Sequence, residues 1–305
     1  MPIHREPVSP PAEQSFRLLH WKQNPVQIEM LVSPGRSVPL AGAAERWHAH
    51  PAMELTLILS GSGTRFIGDE IAPVSPPELV LIGPDMPHYW RGLRPSSGYV
   101  AQFEFGEHHA FWQFPEFQNL KTLWQKSARG LLFSGRTRQR VIELLDTMPA
   151  QRQVERFATL LRIFAILTDA PGSEQRLLSS KVFRLTAGDP HRAAIENAIH
   201  LIADHCQEAL SLLDIADAVH MSRATFCRHF HRLTGRSFVG FLNDVRIDHA
   251  RRRLVEGRLG VAQVADEAGF GNLSNFNRVF LRRMGQTPSE YRRRAAITQV
   301  RPPHP

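Results

Sequence analysis

Apolar positions follow three different rhythms along this chain of 305 residues. From about residue 16 to residue 105 they come in short runs. Leu55, Leu57 and Leu59 alternate with Thr56, Ile58 and Ser60, and Gly61 and Gly63 mark a turn. RFIGDEI reads as the return strand, residues 79–82 form an apolar run before a Gly-Pro break, and GYVAQFEF closes the series. Short strands punctuated by Gly and Pro predict a β-sandwich or barrel. From about residue 107 to residue 178 the period lengthens to that of amphipathic helices. The stripes are Phe117, Leu120, Leu123 and Trp124; then Val141, Leu144, Leu145 and Met148; then Val154, Phe157, Leu160, Leu161, Phe164 and Leu167. Such stripes either pack on the barrel or pair across a two-fold axis. Residues 179–190, ending in Gly188, Asp189 and Pro190, read as a linker, with Asp189 as a candidate cap. Helical spacing resumes with Ile195, Ile199 and Ile202.

The last third is organised around residues 265–293, a short helix, a Gly-containing turn and a longer helix. Gly269 stands where the first helix must stop, since a left-handed backbone favours Gly. Asn272 or Ser274 can open the second, whose Phe276, Phe280 and Met284 recur at the spacing of a buried face. Ser274 and Arg278 fall on the opposite side, flanked by Asn275 and Asn277.

The same pattern occurs earlier, in residues 215–242. Ala216 and Asp217 pair with Ala265 and Asp266, Phe226 and Phe230 with Phe276 and Phe280, Arg228 with Arg278, Gly235 with Gly285, and Phe241 with Tyr291. The offset shifts by one residue inside the turn. An internal repeat of two copies predicts a pair of helix-turn-helix units. Between them a long helix, about residues 237–256, carries Val239, Leu242, Val245 and Ala250 inward and ends on the basic residues 251–253. A helix of that length fixes the distance between the two recognition helices. A separation near one helical turn, roughly 34 Å, lets both enter successive major grooves.

On these residues, about residues 190–296 resemble the DNA-binding domain of the AraC/XylS transcription regulators. The resemblance is carried by Ile215 and Ala216, by Phe226, Arg228 and Phe230 with Thr234 and Gly235, by Ala268, Gly269 and Phe270 through Phe276, Arg278 and Phe280, and by Gly285, Thr287, Pro288, Tyr291 and Arg292. It implies an effector-responsive regulator, usually an activator, with repression left open. It also implies a homodimer paired through the helices before the linker, and contact with RNA polymerase.

Charge agrees with a DNA partner. The chain carries a net charge of +8. Residues 192–301 hold seventeen Arg, no Lys and eleven Asp or Glu, a balance of 17 − 11 = +6. A basic domain favours polyanions through counterion release, and the repeat selects DNA among them. Two cysteines, Cys206 and Cys227, exclude a disulfide framework and a Cys-type zinc site; Cys227 reads as a packing residue. No apolar run has the length of a membrane span. The Pro-rich start is unlike a signal peptide, and a reducing cytoplasm is the simplest compartment.

In the first recognition helix the outward arc holds Ala224 and Arg228, flanked by Arg223, Thr225, His231 and Arg232. Arg228 and Arg278 are the candidates for guanine O6 and N7. Ser274, Asn275 and Asn277 read base edges or hold phosphates, and Arg223 and Arg232 grip the backbone.

One further constellation carries chemistry. Gly42, His48, His50, Glu54 and Gly61 match the first cupin motif in spacing, and His88, after Pro84 and Pro87, resembles the histidine of the second. Positions 48, 50 and 54 share one side of a strand by parity. His48, His50, Glu54 and His88 therefore read either as effector-pocket groups in a barrel without metal, the reading preferred on sequence, or as ligands of a divalent transition metal. Met86 where Gly is usual, and Pro51 within the strand, depart from the motif. Trp47, Phe66, Tyr89, Trp90 and Phe103 read mostly as core, Arg65 and Arg91 as groups on a solvated strand edge.

The expectation is thus an α+β chain. Residues 1–14 form a loose tail, 15–106 a cupin-like effector-sensing barrel, 107–178 a helical and dimerising segment, 179–190 a linker, 191–296 an all-α double helix-turn-helix domain, and 297–305 a tail. It binds double-stranded DNA and a small-molecule effector, requires no cofactor and is not an enzyme. The alternative is a metal-dependent cupin enzyme fused to a DNA-binding module. Against that, no further acid/base pair stands at a recognisable spacing.

Overall fold

The computed structural model describes residue 10 and residues 14–41, 47–93, 95–106, 108–183 and 191–300. Gly42, Asp189, Pro190 and most of the two expected tails lie outside the described residues. The chain divides into two compact units, Met1–Asp189 and Pro190–Pro305.

In the first unit the strands are β1 (Phe16–Gln23), β2 (Gln27–Ser33), β3 (Arg36–Ala41), β4 (Met53–Ser60), β5 (Thr64–Ile67), β6 (Glu70–Pro73), β7 (Glu78–Ile82), β8 (His88–Arg91) and β9 (Ser96–Phe103). There follow α1 (Leu120–Ser127), β10 (Leu131–Phe133), α2 (Gly135–Thr147), α3 (Gln153–Thr168) and β11 (Gln175–Leu177). They form an eight-stranded sheet, in the order β11-β10-β7-β4-β9-β1-β2-β3, and a three-stranded sheet, β6-β5-β8. Pairing is antiparallel throughout.

The larger sheet buries both faces, and strand parity sorts its side chains between two cores. Leu55, Leu57, Leu79, Leu81 and Phe103 meet Val141, Leu145, Leu160, Ile163 and Phe164 of α2 and α3. Ile58, Val80, Ile82 and Val100 turn the other way, toward Ile67 of β5 and Trp90 of β8. The expected barrel is therefore a sheet that stays open, with β11 and β3 as its edges. Helices cover one face and the smaller sheet the other, so burial does not require closure.

Four sequence expectations change here. The segment read as helical also supplies β10 and β11, which extend the larger sheet through β7. Strands of three residues carry no periodicity to read. Val154 is 82% exposed, because it sits in the first turn of α3, before that helix meets the sheet. Arg65 is buried, not on a solvated edge. Its Nε donates to Glu70 at 3.0 Å and its Nη1 lies 2.5 Å from Glu78, so it joins β5 to β7 of the other sheet. Finally, the start of the expected linker is packed. Ser179 Oγ donates to Asp69 at 2.7 Å, and Phe183 is buried.

The second unit is helical: α4 (Arg192–Asp204), α5 (Leu212–Ala218), α6 (Arg223–Thr234), α7 (Phe238–Glu256), α8 (Val261–Glu267), α9 (Leu273–Met284) and α10 (Pro288–Val300). The repeat in the sequence is a repeat in structure. After α5, His220 takes φ 55°, its amide donates to Asp217 and that of Met221 to Ala216, both at 2.9 Å. After α8, Gly269 takes φ 82°, its amide donates to Asp266 at 2.8 Å and that of Phe270 to Ala265 at 3.0 Å. Helices α6 and α9 both span twelve residues and end on left-handed glycines, Gly235 and Gly285. The rings of Phe226, Phe230 and Phe241 pack in series in one repeat at 5.1 and 5.4 Å, those of Phe276, Phe280 and Tyr291 in the other at 5.5 and 5.7 Å.

Helix α7 serves both cores. Phe238, Phe241, Leu242 and Val245 are buried toward its start, while Ile247, Ala250 and Leu254 join the cluster of Val264, Phe276 and Phe280. Val239, expected inward, is 60% exposed, because Phe238, Phe241 and Leu242 already fill that face. The basic cluster at its end is internally paired: Arg251 and Arg252 reach Asp248, and Arg253 reaches Glu256 and Glu267.

Phe226→Ala and Phe280→Ala each open a cavity in a fully buried site. Each should cost about 3–5 kcal/mol, read as a lower denaturant midpoint by circular dichroism.

Candidate nucleic-acid interface and buried ligand cluster

Both recognition helices open on a side-chain cap. Ser222 Oγ accepts from the Thr225 amide at 3.3 Å, and Asn272 Oδ1 from the Asn275 amide at 3.0 Å. Capping fixes the first turn and with it the side chains that a groove would meet. On α6, Arg223, Ala224, Arg228 and Arg232 are exposed and Thr225 is half-buried. The Thr225 hydroxyl accepts from Ser222 Oγ at 3.0 Å, which turns it toward the cap. Arg232 donates to His229 Nδ1 at 2.8 Å, and the His229 ring lies edge-on to His191 at 4.3 Å. On α9, Ser274, Asn275, Asn277 and Arg278 are all exposed. Arg278 donates to Asn275 Oδ1 at 2.7 Å, so the two present one polar surface. Cys227 is exposed as well. It lies about 100° round the helix from Phe226, outside the face filled by Phe226, Phe230 and Leu233.

Between the two sheets His48, His50, Glu54 and His88 converge, each offering one ligand atom within 4.8 Å of the others, and all four are buried. The parity argument does not describe how. Only Glu54 lies on β4; the chain bends at residues 51 and 52, and His48 forms a lone bridge with His88. His50 and His88 are held by backbone carbonyls: His50 Nδ1 lies 2.9 Å from Ala52 O, and His88 Nδ1 lies 2.8 Å from Met86 O. A carbonyl only accepts, so each Nδ1 carries its proton and each Nε2 faces the cluster. His50 Nε2 stands 3.1 Å and His88 Nε2 3.7 Å from Glu54 Oε2. His88 Nε2 is buried without a hydrogen-bond partner.

Glu54 is anchored from the other side. Thr56 Oγ1 donates to it at 2.5 Å and Gln102 Nε2 at 2.8 Å, while Gln102 Oε1 accepts from Arg17 Nε at 3.0 Å. Burial alone would raise this carboxyl, but the charge and hydrogen bonds of His88 and His50 beside it hold it well below the usual range, so it is an anion. The Nε2 atoms and the Glu54 carboxylate together form a buried N/O donor set, and a divalent cation fits it.

Gln102 also lines a cavity of about 640 Å³ with Gln14, Phe103, Glu104 and His109, a size suited to a small molecule. Thr56, Gln102 and Arg17 were not singled out by motif. Their signal was polar residues at the in-between positions of apolar strands, with Glu54 directly opposite Gln102 in the β4–β9 register. Of the aromatics considered, Trp47, Phe66, Tyr89, Trp90 and Phe103 are all buried.

Comparison with known proteins bears on the second unit first. Residues 215–294 match the helix-turn-helix domain family, and this segment is a helix-turn-helix domain. An uncharacterized HTH-type transcriptional regulator, YobQ, of Bacillus subtilis is 33% identical over 31% of this chain and 39% of its own length. The urease operon transcriptional activator of Escherichia coli is 35% identical over 36% of each. The arabinose operon regulatory protein of Salmonella typhimurium is 26% identical over 78% of this chain and 82% of its own. The chain thus spans under two fifths of the first two relatives and most of the third. Among the described residues no helix is long and apolar enough to cross a membrane.

Gln102→Leu would remove one donor from the Glu54 carboxylate and one acceptor from the Arg17 guanidinium. Each buried hydrogen bond to a charged group is worth roughly 1.5–3 kcal/mol. The expected outcome is a clear loss of stability in denaturant titration.

Proposed function

We propose that the chain is a sequence-specific, DNA-binding transcription regulator of the AraC/XylS kind, governed by a small ligand held in its first unit. The observation that carries this is the pair of equivalent helix-turn-helix units, each with a capped recognition helix turning Arg, Asn or Ser outward. The three relatives named above are transcriptional or operon regulators by name, which supports the same reading. Helices α6 and α9 lie in successive major grooves. Arg228 and Arg278 read guanine edges, Arg278 steadied by Asn275. Ser274 and Asn277 take base edges or phosphates, and Arg223, Thr225 and Arg232 hold backbone around Ala224. Homodimerisation, contact with RNA polymerase, activation rather than repression, and a cytoplasmic setting rest on the resemblance. The stripes of α2 and α3 are engaged with the sheet.

Selection of bound duplexes from a random pool at physiological salt tests the reading. Two short enriched blocks, one helical turn apart, are expected. Arg228→Ala and Arg278→Ala should each cost about 1–3 kcal/mol on the selected site and relax one block. Binding without enrichment, or unchanged affinity in both variants, would overturn it.

For the ligand, the favoured occupant is a divalent transition metal ion held by His48, His50, Glu54 and His88. Supporting it are the four buried donors, the carbonyl-fixed histidine tautomers and the unpartnered His88 Nε2. The facing sheets with this cluster between them also support the cupin-like reading of the unit. When bound, the ion would supply positive charge to the Glu54 carboxylate and take the Nε2 lone pairs. The protein's own part is to hold the Glu54 carboxylate in place through Thr56 and Gln102. Purified without a histidine tag and reconstituted, the chain should hold about one ion, and His50→Ala or His88→Ala should lose it. Less than about a tenth of an ion per chain would rule the metal out and leave an organic effector in the cavity beside Gln102. Turnover by the loaded protein would instead favour the alternative, a metal-dependent enzyme tethered to DNA.

A further inference from the structure

Asp244 lies in the second turn of α7 and is 8% exposed. Its Oδ2 stands 3.2 Å from Arg236 Nε and its Oδ1 2.5 Å from Arg283 Nε. Arg236 follows Gly235, where α6 ends, and Arg283 belongs to the last turn of α9. One carboxylate on the connecting helix thus meets the C-terminal ends of both recognition helices. The repeat does not demand this. With Gly235 aligned on Gly285, the counterpart of Arg236 is Gln286 and that of Arg283 is Leu233. The contact belongs to the joining of the units, not to either unit alone.

The contact is not a simple staple. Burial pushes the Asp244 carboxyl up, against the opposing pull of Arg236 and Arg283. An acid raised on folding binds protons more readily in the native state. Its contribution to stability therefore falls as pH rises from the unfolded carboxylate range through the raised folded value. At neutral pH the carboxylate is held at a cost, and neither of its oxygens has a hydrogen-bond partner. What remains is a point of charge: the apolar contacts of α7 are non-directional, whereas one buried carboxylate flanked by Arg236 and Arg283 draws both helix ends to the same place.

We infer that Asp244 is a positioning residue that sets the separation of α6 and α9, and hence the spacing between the two base blocks the chain accepts. This rests on the paired-unit reading of DNA given above. The variant Asp244→Asn removes the charge and leaves two half-exposed guanidiniums that water can solvate, so the fold should survive.

The test is random-pool selection with full-length wild type, Asp244→Asn, Arg283→Gln and Asp244→Glu, read as the distribution of spacings between enriched blocks. Wild type should enrich one spacing. Against a duplex one base pair longer between blocks, it should discriminate by about tenfold, the scale of a single mismatch. Asp244→Asn and Arg283→Gln should enrich several spacings and discriminate less than about threefold, with affinity for an isolated block unchanged in Asp244→Asn. Asp244→Glu, which keeps the charge, should recover the preference. If Asp244→Asn keeps the single wild-type spacing, the positioning role is overturned and the paired-unit reading stands. If wild type itself enriches no two-block site, both are overturned.

Discussion

A charge removed from water must find a partner, and in both units that requirement joins elements far apart in sequence. In the first unit Arg65 is nearly fully buried and reaches across from β5 to Glu78 on the other sheet. Arg156 of α3 donates to the Leu31 carbonyl of β2 at 2.7 Å and to Met148 at 3.1 Å, locking a helix to a strand. Arg17, Gln102 and Glu54 run as a chain across β1, β9 and β4. In the second unit Arg246 donates to the carbonyls of Cys206 and Glu208, tying α7 to the end of α4. Apolar burial supplies the driving force, but it is tolerant of sliding; these polar ties decide register.

That division explains what was legible in the sequence. Features set by local geometry could be read directly. Asn272 caps α9, Gly269 adopts a left-handed backbone, Ser237 opens α7, and the two phenylalanine pairs share buried faces. Features set by distant partners could not. Arg65 carries no local sign of Glu78, and read alone it belongs at an edge. Asp244 is one acid among many on a charged helix until Arg236 and Arg283 fold against it. Three-residue strands such as β10 take their identity from β7, not from their own pattern. The four residues of the buried cluster could be found by spacing, but the reason given for their meeting was wrong. A bend after His50 and a bridge from His48 to His88 bring them together, not one continuous strand.

The cluster places polar side chains in a sheet core by pairing most of them with one another. The face of β4 and β9 toward the smaller sheet holds Glu54, Thr56 and Gln102 among apolar neighbours. Each is satisfied by another member of the group. Because the Nδ1–H groups donate to the carbonyls of Ala52 and Met86, the backbone itself orients the His50 and His88 rings. A ligand that engaged Nε2 would meet rings already in place, so little conformational entropy opposes binding.

The repeat in the second unit is close in backbone and divergent in side chains, and the divergence has physical causes. Gly269 cannot be exchanged for a larger residue: a Cβ there would lie 2.6 Å from the Cys206 carbonyl and 2.9 Å from Arg246. Its counterpart, His220, takes the same left-handed turn with a full side chain. The residues just after α4 therefore press on the second turn, while the body of α4 packs on α5 and α6 of the first helix-turn-helix. This segment supports the two helix-turn-helix repeats in different ways, so they are not interchangeable. Their outward faces differ to match. Arg278 is coupled to Asn275, whereas α6 presents Arg223, Ala224 and Arg228 along its exposed side. On the reading proposed above, two unlike faces in one chain, held in fixed order by α7, would meet a DNA site made of two different blocks with a defined direction. A palindrome would require a second copy of the chain; a directional site would not.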